Sequence, residues 1–272
     1  AQHTLYITHY TEHASGKKVL LSEFMNQYTD KFVAYESGDV AHMLGISHQI
    51  TDSAYSMDEK AILADLVKDY QMPVTHLNNF LNITKGGPHL FLEQNLLRFP
   101  QAKTVASVYG TAMHGALEYV YTYYKREGVL PEISLVVAKA RQEIIAGRLS
   151  PSDTKVSVER AEKALALYIK NHGNDIDPSD LVETNFKNQG VMVGDARITG
   201  KIDKMHIEGD QVVVSDWKTG KPKDSWKVVG DEKIQLHGYA RQLLFYKLLV
   251  EGSSDFNAYQ VEEGRLEFLE PV

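Results

Sequence analysis

The sequence predicts an α/β or α+β protein in which helices pack on a mixed β-sheet. Apolar residues recur at helical spacing between residues 57 and 171, and alternating strand patterns with turn signals follow between Leu181 and Trp217. A last helical pattern, from about Glu232 to Glu251, precedes a short apolar stretch at Arg265–Leu269 that could add an edge strand.

Five helical patterns precede the predicted strands, and most of them are bounded by capping or breaking residues. They are Met57–Tyr70, a short helix from Thr75 through Leu81, Gly110–Arg126, Ser134–Ala146 and Asp153–Asn171. Gly86, Gly87 and Pro88 are expected to end the second of them. A further pattern begins near Ser22, so we expect an extra helical region at the N-terminus.

Three strands are predicted after Pro178, at Leu181–Lys187, Val191–Glu208 and Gln211–Trp217. Turn signals separate them, the clearest being Glu208-Gly209-Asp210. Short connections of this kind indicate an antiparallel meander.

The composition limits the function before any motif is considered. The chain has 272 residues, 43% of them apolar and 24% charged, which is ordinary for a globular protein. Its apolar runs are too short to span a membrane, and its net charge of −7 argues against a simple nucleic-acid coat. The absence of cysteine excludes thiol nucleophiles, disulfides and iron–sulfur clusters, so a bound metal must use His, Asp or Glu. A cysteine-free chain without a secretory leader is expected in the cytoplasm.

The strongest chemical signal is a pair of carboxylates on neighbouring predicted strands. Asp203 lies in the second strand, and Asp216 and Lys218 lie at the end of the third, where they share one face. Two close carboxylates repel each other unless a cation lies between them, and hard oxygen ligands suit Mg²⁺. Lys218 could then stabilise a phosphate under attack or deprotonate the attacking water. The simpler alternative is that Asp216 is a turn residue and Lys218 a solvated charge.

A second signal is a polar and aromatic face on the last helix. Gln235, Tyr239, Gln242 and Tyr246 follow at intervals of four, three and four residues, which places them on one side of a helix. Such residues offer stacking surfaces and hydrogen bonds to a nucleotide strand. Partly buried tyrosines of an ordinary helix are the competing interpretation.

Taken in order, the motifs resemble those of RecB-type nuclease domains of the PD-(D/E)XK superfamily, which are fused to UvrD-type helicases or occur in AddA and AddB proteins. That family carries a histidine on a helix, then G-x-x-D, D-x-K and Q-x-x-x-Y. The corresponding segments here are Gly110-Thr-Ala-Met-His114, Gly200-Lys-Ile-Asp203, Asp216-Trp-Lys218 and Gln242-Leu-Leu-Phe-Tyr246. The resemblance covers about Met72 to Leu249 and implies a restriction-endonuclease-like fold.

The same resemblance implies a metal site and its ligands. Mg²⁺ or Mn²⁺ would be held by His114, Asp203, Asp216 and the carbonyl of Trp217, with Asp203, Asp216 and Lys218 as the catalytic residues. An iron–sulfur cluster, which some relatives hold through four cysteines, is not expected because this chain has none.

Further candidates surround these residues. Gln242 and Tyr246 would contact DNA, and Gln235 and Tyr239 fit the same short pattern in a second register. The additional acidic candidates are Glu118, one helical turn after His114, and Glu183 on the first predicted strand.

The function implied is that of a metal-dependent DNA nuclease, a single-strand exonuclease that forms the C-terminal part of a helicase–nuclease in DNA repair or recombination. Its expected partners are single-stranded DNA and a helicase motor, with no membrane. The expected domains are residues 1–30, a remnant of a helicase domain or a linker, residues 31–71, a linker with one helix, and the nuclease domain at residues 72–272. The alternative is a catalytically silent DNA-binding or docking module of a helicase assembly.

Overall fold

The computed structural model describes residues 18, 59–220, 222 and 231–270, and at residues 59, 60, 62 and 231–236 it describes the backbone alone. The chain separates into two compact units, Ala1–Ile62 and Leu63–Val272, and the second contains nearly all of the described residues. Apart from Lys18, the expected helicase remnant at residues 1–30 lies outside the described residues, as does the helical pattern near Ser22. The expected division into residues 1–30, 31–71 and 72–272 stays a prediction.

The described part of the chain contains seven α-helices. Their bounds are α1 Glu59–Lys68, α2 Val74–Leu81, α3 Gly87–Phe91, α4 Val105–Glu127, α5 Ile133–Ala146, α6 Pro151–His172 and α7 Asp231–Gly252. Helix α4 begins with a capping box, in which the side chains of Thr104 and Ser107 bond each other's backbone N–H groups. It ends at Gly128, whose φ of 73° favours glycine. These caps fix the long helix that carries His114.

In the described part of the chain, seven strands form two mixed sheets. Their bounds are β1 Gln71–Pro73, β2 Leu181–Asn185, β3 Met192–Val193, β4 Ala196–Thr199, β5 Lys201–Glu208, β6 Gln211–Lys218 and β7 Gln260–Phe268. The larger sheet has the order β2-β5-β6-β7, in which β7 runs parallel to β6 and the other pairs are antiparallel. The smaller sheet has the order β1-β4-β3, with β1 parallel to β4. The predicted fold class, a mixed sheet flanked by helices, is confirmed.

Three details differ from the sequence predictions. The predicted strand Val191–Glu208 is divided into β3, β4 and β5, with Gly194 at φ 58° between the first two. Helix α2 ends at Leu81 with Asn82 as its C-cap, so the prediction that Gly86, Gly87 and Pro88 end it is wrong. Pro88 instead lies in the first turn of α3, where its missing N–H is harmless. The expected edge strand at Arg265–Leu269 is the last part of β7, which begins at Gln260 and lies parallel to β6.

Two hydrophobic cores hold helices on opposite faces of the larger sheet. One core joins α4, α5 and α6 to the sheet through Trp217. The other joins α7 to the sheet through residues such as Val212 and Val214 of β6. Because side chains alternate along a strand, Asp216 then points to the same side as Val214 and away from Trp217. No helix among the described residues is long and apolar enough to cross a bilayer.

Gly200 has a packing role at the start of β5. A Cβ atom built there would lie 2.8 Å from Cδ1 of Leu249, a fully buried residue of α7. We expect Gly200→Ala to lower the free energy of unfolding by about 1–3 kcal/mol because the core must shift to admit the methyl group. Gly220→Ala is the matched control, since a Cβ atom there meets no atom of the described residues within 4 Å. Equal thermal unfolding temperatures for the two variants would contradict this explanation.

Candidate active site

Three carboxylates form a row across β2, β5 and β6. The register of β2 with β5 places Glu183 opposite Asp203, and the ladder of β5 with β6 ends one position before Asp203 and Asp216. Their side chains are 7%, 9% and 2% exposed, respectively. Glu183 also adopts a left-handed backbone with φ 52°, a strain of about 1–3 kcal/mol that tends to persist at functional sites.

His114 reaches this row from α4. Its Nδ1 lies 3.5 Å from Oε1 of Glu183 and 3.4 Å from Oδ1 of Asp203. Its Nε2 lies 3.0 Å from the carbonyl oxygen of Trp217. The N–H of Trp217 in turn donates to Oδ2 of Asp203 at 2.8 Å, so the strand ends are held together through side chains beyond the backbone ladder.

These neighbours change the proton affinity of the histidine. Burial lowers the pKa of His114, but the hydrogen bonds and charges of Asp203 and Glu183 outweigh burial and raise the pKa to about 10. Burial raises the pKa of Glu183, but two neighbours outweigh burial. The hydrogen bond with His114 and the ion pair with Lys201 bring the pKa of Glu183 below its ordinary value. The protonated imidazole thus stands beside the carboxylates as a counter-cation.

The donor set fits a divalent metal ion. One ligand atom from each of His114, Glu183 and Asp203 lies within 4.8 Å of the others. Oε1 of Glu183 is buried, and among the described residues its polar contact is Nδ1 of His114 at 3.5 Å, which leaves a lone pair for a cation. Carboxylate oxygens suit Mg²⁺ and Mn²⁺, and an imidazole ligand favours the transition metal.

Asp216 and Lys218 form a second set of contacts beside the first. Lys218 Nζ lies 2.5 Å from Oδ2 of Asp216 and donates to Oε1 of Gln242 at 2.8 Å. Oδ1 of Asp216 accepts from Nε2 of Gln242 at 2.6 Å and from the hydroxyl of Tyr246 at 2.8 Å. Burial raises the pKa of Asp216, and the charge of Lys218 works against that shift. The predicted strand geometry is confirmed here, since Asp216 and Lys218 share one face.

The remaining predicted residues have different surroundings. The ring of Tyr239 lies 4.8 Å from Nζ of Lys218, so it also borders the site. The side chain of Gln235 lies outside the described residues. Glu118 is exposed on α4, and the ring nitrogens of His114 face Glu183, Asp203 and Trp217 instead of Glu118.

The anchor of Trp217 on the other face of the sheet was not predicted. Trp217 Nε1 and the Tyr168 hydroxyl both donate to Oε2 of Glu267, at 3.1 and 3.0 Å. Lys204 Nζ lies 2.5 Å from Oε1 of the same carboxylate. The sequence signal that could have indicated this anchor is Glu267 itself, a charged residue inside the short apolar stretch Arg265–Leu269. Glu267 fixes the indole of Trp217, whose backbone contacts both His114 and Asp203.

One cleft of about 1000 Å³ is lined by most of the candidate site, but not by Glu183 or by the anchor of Trp217 at Glu267. Its floor includes His114, Asp203, Asp216 and Lys218, and Tyr239 and Gln242 lie on the side of α7. The other side consists of β1 and the residues around it. A cleft of this volume can admit a ligand of several non-hydrogen groups, and its lining offers both cations and carboxylates.

The fold and the site together define the class. A mixed sheet flanked by helices, with acidic residues and a lysine at the ends of β5 and β6, is consistent with a restriction-endonuclease-like fold. The family model of the PD-(D/E)XK nuclease superfamily matches residues 85–270, which is more than half of the chain. The chain belongs to this superfamily. Comparison with curated proteins finds no match.

The raised pKa of His114 predicts pH-dependent stability in the metal-free protein. Its folded pKa of about 10 lies above the ordinary 6.5, so its stabilising contribution is complete below about pH 6.5 and is lost as the pH rises through about 10. We expect calorimetry in EDTA to show a larger fall in melting temperature between about pH 7 and about pH 10 for the wild type than for His114→Gln, by roughly 3 °C or more. Equal falls in the two proteins would contradict the assignment.

Loss of the Glu267 carboxylate is expected to destabilise the fold. Glu267→Ala leaves Trp217 Nε1 without its acceptor and Lys204 without its counter-ion, at a cost of about 2–4 kcal/mol. Glu267→Gln keeps an acceptor oxygen and should cost less. Urea denaturation of both variants measures the difference, and an Ala variant as stable as the Gln variant would show that the anchor is unimportant.

Proposed function

We propose that this protein is a metal-dependent deoxyribonuclease that hydrolyses phosphodiester bonds in single-stranded DNA. The observation that carries the proposal is the group of His114, Glu183 and Asp203, whose ligand atoms lie within 4.8 Å of one another, beside Asp216 and Lys218, which line an open cleft. Membership in a nuclease superfamily supports it.

The roles of the residues follow from their contacts. His114, Glu183 and Asp203 would hold the metal, with Asp216 and the Trp217 carbonyl as further ligands by the family resemblance. A bound divalent ion supplies positive charge against the phosphate and lowers the pKa of a bound water.

Lys218 lies at the end of β6, two residues after Asp216. Asp216 and Gln242 hold its Nζ in place, and the ring of Tyr239 lies beside it. From this position it would stabilise the negative charge that develops on the phosphate, a role suited to a pre-positioned cation in a partly dry cleft. Gln242 and Tyr246 orient Asp216 and border the path of the DNA.

The finer parts of the proposal rest on the order of the sequence motifs. By that resemblance the nuclease acts from a DNA end and works with a helicase motor, in the same longer polypeptide or complex, during DNA repair or recombination. A cytoplasmic location fits this role and the cysteine-free sequence.

Degradation of end-labelled single-stranded DNA tests the proposal. The wild type is expected to release label with Mg²⁺ or Mn²⁺ and to release none in EDTA. A circular single strand serves as the control for end dependence, because an exonuclease leaves it intact. Binding of DNA without cleavage in either metal would favour the silent docking module.

A further inference from the structure

Three residues at the end of the cleft opposite α7 form a group that the proposed chemistry does not use. Tyr70, His76 and Arg98 line the same cleft as His114 and Asp203. We call these three residues the aromatic end of the cleft. Tyr70 and His76 are half-buried, whereas Arg98 is exposed.

The two rings are held in fixed positions. The Tyr70 hydroxyl lies 2.6 Å from Nδ1 of His76, and the ring centroids are 6.2 Å apart with an interplanar angle of 27°. Phe91 of α3 packs edge-on against Tyr70 at 5.8 Å and supports it from behind. A pre-positioned aromatic surface of this kind loses little conformational entropy when a base stacks on it.

Arg98 supplies a positive charge next to these rings. Burial lowers the pKa of His76, and the nearby charge of Arg98 lowers it further; burial raises the pKa of Tyr70, and the same charge opposes that rise. Within the part of the chain that the structure describes, Arg98 forms no ion pair with a carboxylate. Its backbone is left-handed, with φ 56°, a conformation that costs energy for a residue with a side chain. The guanidinium lines the cleft, and among the described residues no carboxylate competes with an anion for it.

The aromatic end is tied to the metal-binding group through the backbone. Residues Gln71–Pro73 of β1 pair in parallel with Arg197–Thr199 of β4, and the chain then passes through Gly200 into β5 and Asp203. A DNA strand lying along the cleft would therefore contact the aromatic end and the metal-binding group at a fixed spacing.

Two carboxylates limit where a phosphate can lie. Asp65 and Asp69 border the same end of the cleft, and Asp69 lies 3.3 Å from Arg197, which offsets its charge. Asp65 repels a phosphate on the side of α1, so at this end of the cleft a phosphate is favoured on the side of Arg98.

From this arrangement we propose that the aromatic end is a binding subsite for a nucleotide next to the one whose phosphodiester is cleaved, with its base against Tyr70 and His76 and its phosphate on Arg98. The inference rests on the proposed nuclease function. It adds a second position, away from the reacting phosphate, at which the protein binds the single strand. A subsite of this kind would favour single strands, because the bases of a duplex are not free to stack on protein rings.

Fluorescence anisotropy with a labelled oligothymidylate about 12 nucleotides long, in EDTA to prevent cleavage, tests the subsite. Arg98→Ala and Tyr70→Ala are each expected to weaken binding about tenfold. For Arg98→Ala the slope of log affinity against log salt should also decrease by about 0.7, the value for one phosphate contact on a single strand. Tyr70→Phe keeps the ring and should bind within about twofold of the wild type.

Arg148→Ala is the matched control for Arg98→Ala. Arg148 has the same left-handed backbone, φ 55°, but does not line the cleft, so the variant removes the same charge from a remote position. Because Arg98 is exposed, its replacement should leave the fold intact, which a thermal melt verifies.

Steady-state cleavage with Mg²⁺ separates the two proposals. In Arg98→Ala, KM should rise about tenfold with kcat nearly unchanged, since the lost contact is equally strong before and during the reaction. If the wild type cleaves DNA and Arg98→Ala matches Arg148→Ala in affinity, salt slope and KM, the subsite is wrong and the nuclease stands. If the wild type binds DNA with the expected losses in the variants but does not cleave it, the subsite stands and the nuclease proposal fails. If the wild type does not bind the oligonucleotide, the subsite is wrong as well.

Discussion

Lys218→Ala is expected to reduce metal-dependent cleavage of single-stranded DNA at least about 10³-fold, equivalent to ~4 kcal/mol of transition-state stabilisation. The reason is positional. The Lys218 ammonium is fixed by Asp216 and Gln242 in the cleft that also holds the metal-binding group, so its charge acts on the phosphate without reorganisation. Initial rates on end-labelled DNA with saturating Mg²⁺ measure the loss.

Lys139→Ala is the control for this experiment. Lys139 also forms an ion pair, 2.9 Å from Glu143, but it lies on α5 away from the cleft. Its replacement should leave the rate within about twofold of the wild type. If the Lys218→Ala protein is as active as the Lys139→Ala protein, Lys218 has no catalytic role.

Asp203→Asn is expected to weaken binding of Mn²⁺ at least about 100-fold. Asp203 is the central member of the row, opposite Glu183, in contact with His114 and bonded to the N–H of Trp217. Its amide analogue keeps the size of the side chain but removes the charge that a cation needs. Isothermal titration calorimetry of Mn²⁺ into the metal-free protein gives the affinity.

Asp180→Asn provides a matched comparison. Asp180 is likewise a buried aspartate bonded to a histidine, with Oδ1 2.7 Å from Nδ1 of His206, but it lines a different cavity. Its variant should bind Mn²⁺ as the wild type does. Equal affinities of the Asp203 and Asp180 variants would place the metal elsewhere.

The parts of the site that depend on neighbouring residues in the sequence were predicted well. The two-residue period of a strand is enough to place Asp216 and Lys218 on one face, and the helical period is enough to align Tyr239, Gln242 and Tyr246. Both patterns depend only on neighbouring residues, and the structure brings the two faces into contact.

The contacts between residues far apart in the sequence could not be predicted from periodicity alone. His114 was identified only through the family resemblance, because one histidine on an amphipathic helix has no distinctive spacing. Glu183 could be named only as a loose candidate, since its place opposite Asp203 depends on the register of β2 with β5, which the sequence does not encode locally. For the same reason the parallel pairing of β7 with β6, and with it the contact of Glu267 with Trp217, was not predicted.

The different sequence separations of the contacts in the site have a consequence for folding kinetics. The contacts of Lys218 and Asp216 with α7 span only 24, 26 and 30 residues, whereas the contact of His114 with Trp217 spans 103. Closing a loop four times longer costs about 1.2 kcal/mol more in chain entropy. We therefore expect β6, α7 and β7 to assemble before α4 docks, and a partly folded chain to hold its lysine in place while it still lacks the histidine that a metal requires.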